Sequence, residues 1–168
     1  MTQKAHIAVF APVALAMLFV GASPNLARAA LGASAESLTA DAAAFNATGL
    51  SRVALPALNA PSVSTYTVAR MTTACGIVVS EFVGPDGKVF AVTWRGRRPP
   101  DLSVLLGSYF AQYRDAANAG VLAAHGLHHA FVRGTGVAVE TSGHMRDMWG
   151  RAWLPARLPP GVEPSEIR

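Results

Sequence analysis

Apolar positions along this chain fall into three regimes. Ile7 to Ala22 is an almost unbroken apolar run, interrupted only by Pro12 and Gly21. From Leu31 to Ser64 the chain is dominated by Ala, Ser, Thr, Asn and Pro without sustained periodicity. That stretch is expected to be a poorly ordered arm, with two turns of helix near Ala40 to Ala47 at most. At Thr65 the pattern changes. Tyr66, Val68 and Arg70 alternate with Thr65, Thr67 and Ala69, and Ile77 to Val83 and Lys88 to Arg95 are rich in β-branched and aromatic residues, so three consecutive strands are expected. Gly84-Pro85-Asp86-Gly87 joins the second and third: Pro presets φ, Asp can bond the backbone ahead, and Gly87 tolerates a positive φ. Val78 and Phe82 are expected on one face of this pair, opposite Phe90, Val92 and Trp94.

After Pro99 and Pro100, Asp101 is placed to cap a helix. Leu102, Leu105, Leu106, Tyr109, Phe110 and Tyr113 follow at the spacing of one helical face, and Gly120 stops a helix running from Leu102 to Ala119. A helix with one apolar stripe must cover something, so Leu106 and Phe110 are expected against Phe82, Phe90 or Trp94. Ala123 to His129 reads as loop or a short helical turn. Gly136 to Thr141 and Met145 to Leu154 read as two further strands turning near Ser142 and Gly143. Pro155, Pro159, Pro160 and Pro164 make the C-terminal tail extended and irregular. The expected fold class is α+β: a small antiparallel sheet in the order βββαββ with one amphipathic helix packed on a face.

The first apolar run changes what counts as the folded protein. Lys4 precedes it, Ser23, Pro24 and Asn25 end it, and Ala27-Arg28-Ala29 supplies the small-x-small pattern of a signal-peptidase site. Residues 1–29 therefore read as a cleavable secretory signal, with cleavage between Ala29 and Ala30 and no sustained apolar continuation beyond it. Residues 30–64 form the arm and residues 65–168 a single domain with its Pro-rich tail, leaving no transmembrane span once the signal is removed. The remaining 139 residues carry twelve basic and ten acidic side chains, a net charge of +2 against +4 for the whole chain. The sequence pI of about 9.8 thus overstates the basicity of the mature protein, and specific nucleic-acid binding loses its main support. Cys75 is the single cysteine, so no internal disulfide can form.

The stretch Gly84-Pro85-Asp86-Gly87-Lys88-Val89-Phe90-Ala91-Val92-Thr93-Trp94 resembles a bacterial family of exported proteins classed as domain of unknown function 2844. Pro100-Asp101-Leu102, Leu105-Leu106-Gly107-Ser108-Tyr109-Phe110, Ser142-Gly143-His144-Met145-Arg146, Gly150-Arg151-Ala152, Leu154-Pro155 and the closing Pro160-Gly161-Val162 are similar to the same family. The resemblance implies export and a small domain but no activity, so no catalytic residues are carried over and no cofactor is implied.

Three side-chain groups remain as candidate chemistry. His125, His128 and His129 form H-x-x-H-H, which could share a metal ion if His125 and His129 sat one helical turn apart, although Gly126 weakens a helix there. Arg95, Arg97 and Arg98 precede the helix start, where guanidinium groups and free backbone amides favour an anion. Glu81, Asp86, Glu140 and Asp147, with His144, would make a hydrolase-like centre if the fold brought them together. No G-x-S-x-G, H-E-x-x-H or phosphate-binding loop is present. The leading expectation is a non-enzymatic periplasmic or secreted domain binding an envelope protein or an anionic ligand. A small hydrolase and a histidine-based metal binder are the alternatives.

Overall fold

The computed structural model describes residues 31–57, 65–119, 122–126 and 128–168, with only the backbone described for 122–126. The expected signal peptide, with Ala29 and Ala30, lies outside the described residues, as do positions 58–64 of the arm. Eight strands form one antiparallel sheet in the order β1-β2-β3-β4-β8-β7-β6-β5. They are β1 (Thr48–Pro56), β2 (Thr65–Thr72), β3 (Val78–Val83), β4 (Val89–Gly96), β5 (Leu122–Gly126), β6 (His129–Arg133), β7 (Ala138–His144) and β8 (Asp147–Trp153). Helices are α1 (Leu38–Ala44), α2 (Leu102–Leu106) and α3 (Phe110–Asn118). Two meanders, β1 to β4 and β5 to β8, meet where β4 pairs antiparallel with β8.

The sheet is thus larger than the expected five strands, and the domain is mostly β with some helix. The β2-β3-β4 reading holds, and so does its turn: Gly84 N donates to the carbonyl of Lys88, Lys88 N donates to Asp86 Oδ1, and Gly87 has φ 71°. The additional strands pair through the backbone. Strand β1 lies in the expected arm, yet it is an edge strand whose side chains are nearly all exposed, so no alternation marks it. Ala123 to His129 is no helical turn; it contributes β5 and the start of β6, paired antiparallel. The last hairpin turns at Met145 and Arg146, not at Ser142 and Gly143, which remain in β7 opposite Trp149 and Met148.

The expected disorder of the arm also gives way at residues 31–57. Leu31 and Leu38 are buried, and residues 31–35 are stitched alongside the start of β4: Gly32 N donates to Val89 O and Val89 N to Ala33 O, at 2.7 and 2.9 Å. α1 then lies over the sheet.

Two cores result, one on each face. Between β3 and β4 the register skips Phe90, pairing Phe82 with Ala91 but Val83 with Val89. This bulge turns Phe90 to the same face as Phe82, away from Val92 and Trp94. The expected grouping of Val78, Phe82, Phe90, Val92 and Trp94 is therefore split. Val79, Val92 and Trp94 join Leu31, Leu38, Leu105 and Leu106 under the arm and helices. Tyr66, Phe82, Phe90 and Trp153 face the other way, where the tail covers them with Val162 and Ile167. The tail has two short 3-10 turns, Pro155–Arg157 and Pro164–Glu166, and no strand.

The long helix is broken. Asp101 caps as expected, accepting from Ser103 N at 2.8 Å, but Gly107 adopts φ 51° and ψ −123°, far from helical dihedrals, and opens the 3-10 turn Gly107–Tyr109 that separates α2 from α3. The break aims Leu105 and Leu106 fully into the core and leaves Phe110 only half-buried. Leu106 shares its cluster with Trp94, whereas Phe82 and Phe90 lie on the opposite face. Leu106→Ala is therefore expected to cost about 2–5 kcal/mol and Phe110→Ala markedly less, since only the first opens a closed cavity. Urea melts of the two variants check this order.

Candidate functional site

On the tail-covered face the pleat sets side chains in cross-strand rows. One row runs Arg70 on β2, Ser80 on β3, Thr93 on β4, Arg151 on β8 and Glu140 on β7, each directly paired with the next. The row beside it runs Val78, Arg95, Trp149 and Ser142. The tail crosses this face and leaves a half-open cleft of about 690 Å³ whose lining combines these two rows, short of their β7 members Glu140 and Ser142, with Ser165, Ile167 and Arg168 of the tail. Four arginines, three hydroxyl side chains and an indole half-exposed at 37% thus share one cavity.

The guanidinium groups are not equivalent. Arg151 has all its nitrogens engaged: Nε donates to Glu140 Oε2 at 2.6 Å, Nη2 lies 2.5 Å from the same oxygen, and Nη1 donates to the carbonyls of Pro164 and Ile167. It is the pin that fastens the tail to the sheet. Burial pushes the Glu140 carboxyl up, but the hydrogen bonds from His129 and Arg151 outweigh burial and hold it below its ordinary value. Arg95 grips Asp147 in a bidentate pair at 2.9 and 2.8 Å, leaving only Nη1. Arg70 donates from Nε alone, to Ser80 Oγ at 3.3 Å, and among the described residues neither of its Nη groups has a protein acceptor. A guanidinium in that state presents a fork to an incoming anion.

Only one residue of the expected Arg95, Arg97 and Arg98 set belongs to this cleft. Arg97 is exposed, and Arg98 donates to Cys75 Sγ at 3.0 Å in the β2–β3 turn, where Cys75 is exposed. The helix start expected to complete their anion site is occupied by its own Asp101. Arg70, Arg151 and Arg168 do not stand out in the sequence. Arg70 and Arg151 sit at alternate strand positions, a signal that becomes visible only once Arg70, Ser80, Thr93 and Arg151 are known to be in register.

The other groups come apart. His129 Nε2 is 2.9 Å from Glu140 Oε1, and the His128 and His144 rings lie 4.9 Å apart, while the His125 side chain is outside the described residues. His125 and His129 lie on the two strands of a hairpin, not a helical turn apart. Among the described residues no three His, Cys, Asp or Glu side chains are grouped to hold a metal ion. Of the carboxylates, Glu81 is buried under α1 on the far face, Asp86 pairs with Arg157 at the β3–β4 turn, Glu140 is tied to Arg151, and Asp147 is tied to Arg95. They do not form one centre.

Fold and cleft together define an antiparallel β-sheet domain with an arginine-lined cavity between its sheet and its C-terminal tail. Residues 27–167 match the family model described as "Protein of unknown function (DUF2844)", and the chain belongs to that family. No curated protein and no solved structure matches it. Among the described residues no helix is long and apolar enough to cross a membrane.

Proposed function

We propose that this protein is an exported, non-enzymatic binding domain whose ligand is an anion seated in the sheet–tail cleft. The observation that carries the reading is the fork of Arg70, to which no described residue offers an acceptor, in a cavity that Arg95, Arg151 and Arg168 also line. Arg151 positions the wall, Arg70 and Arg168 meet the anion, and Arg95 adds its remaining Nη1. The scatter of the carboxylates supports binding over hydrolysis. Export to the periplasm or medium rests on the signal-like residues 1–29.

The experiment uses protein recovered from an envelope fraction, its intact mass expected to show a start at Ala30. Inorganic phosphate, citrate, phenylacetate and galacturonate are titrated while tryptophan fluorescence is followed. At least one is expected to bind saturably, with affinity falling at least about tenfold in Arg70→Gln and unchanged in the Arg97→Gln/Arg98→Gln pair. Binding by none of them, or binding indifferent to Arg70, overturns the reading.

A further inference from the structure

We infer that the cleft takes an acidic saccharide, a uronic-acid unit whose carboxylate docks on Arg70 and whose ring lies against Trp149. The inference rests on the anion-binding reading and narrows its ligand.

The floor of the cleft is the reason. Between Arg70 at one end and Arg151 at the other, β3 and β4 contribute Ser80 and Thr93, each directly paired across the strands. Three strand spacings separate the two arginine backbones, about 14 Å, room for a ligand longer than a bare phosphate or acetate. Hydroxyls both donate and accept, so a row of them matches a ligand that is itself hydroxylated. An acyl chain would offer no acceptor to the Ser80 hydroxyl, which already accepts from Arg70 Nε, and no partner to Thr93, at a cost a buried polar group does not recover. Ser165 adds a third hydroxyl from the tail.

The neighbouring row supplies the opposite character. Val78 and Trp149 are each 37% exposed and flank Arg95, so one side of the cleft is apolar while its floor is polar. A sugar ring has this same division: an apolar C–H face and an equatorial rim of hydroxyls. A purely aromatic carboxylate would use the indole and the fork but not the floor. A planar carboxylate is also the group that a guanidinium with two free Nη nitrogens receives in two parallel hydrogen bonds.

The test titrates the full protein with trigalacturonate, galacturonate, maltotriose, phenylacetate and inorganic phosphate by calorimetry. Trigalacturonate is expected to bind at least about tenfold more tightly than maltotriose and phenylacetate. Arg70→Gln is expected to bring trigalacturonate down to the maltotriose level, and Trp149→Ala to weaken both saccharides while sparing phosphate. Both residues are exposed, so unchanged melting temperatures certify the variants. Equal binding of trigalacturonate and maltotriose, or phenylacetate or phosphate binding more tightly through Arg70, overturns the saccharide while leaving an anion site. Absence of any Arg70-dependent binding overturns both.

Discussion

Acidification is expected to stabilise this protein, and Glu81→Met is expected to remove most of that effect. Glu81 points from β3 into the core under α1, only 1% exposed, and among the described residues neither carboxyl oxygen has a hydrogen-bond partner. Its lateral neighbours are Ala69 and Val92. The acid that bears on it is Asp41 of α1, itself buried, with Oδ2 accepting from Ser37 Oγ at 3.0 Å and Oδ1 unpartnered. Burial first, and then the Asp41 charge, push the Glu81 carboxyl up to about 8; burial pushes Asp41 up to about 6 despite the Ser37 hydrogen bond.

Both groups hold protons more tightly folded than unfolded. Their contribution is therefore complete below the ordinary carboxylate range, about pH 4, and is lost as pH rises through about 6 for Asp41 and about 8 for Glu81. The difference between pH 5 and pH 8.5 should be on the order of a few kcal/mol, or roughly 10 °C in melting temperature for a domain of this size. Methionine matches the length of Glu81 and needs no hydrogen bond. The variant should melt above the wild type at pH 8.5 and lose most of its pH dependence, with the share of Asp41 remaining in both proteins. A variant that melts below the wild type at pH 8.5 with the same pH dependence would show that the carboxyl is well accommodated in its ionised form.

Gly150→Ala is expected to cost about 3–5 kcal/mol, the range for losing a buried aromatic side chain. Gly150 sits on β8 directly across from Trp94 on β4, at the junction of the two meanders. The Trp94 indole fills the space where a side chain at Gly150 would stand, closer to that point than any real Cβ contact allows. Trp94 is 2% exposed and packs in the same cluster as Leu106 and Val92. A single methyl at Gly150 must displace the largest side chain of that core or push β8 from β4. Chemical denaturation measures the loss. Trp94→Leu, destabilising alone, should cost much less in the Gly150→Ala background, because the clash is then relieved. Additive losses would mean that the indole is not held by the glycine gap.

Much of the local order is legible in the sequence. Gly84-Pro85-Asp86-Gly87 needs no distant partner to turn, and Asp101 caps its own helix, so both can be read from neighbours alone. The amphipathic stripe after Asp101 announces helix but not its break, because a glycine such as Gly107 is tolerated inside a helix and only its positive φ marks the interruption. Strands β1 and β5 are not legible. They are held at the two edges of the sheet by backbone pairing, which carries no side-chain signature.

The candidate site is legible only in fragments. Arg95 stands in the chain beside Arg97 and Arg98, but in the sheet it stands between Val78 and Trp149, and only the second set of neighbours makes the cleft. Turns, caps and strand-forming runs arise from interactions within a few residues, so the chain alone decides them. Register, the Phe90 bulge and the β4–β8 junction arise from contacts up to scores of residues apart. Folding therefore has to decide which arginines share a cavity, which carboxylates are buried, and which face the tail covers.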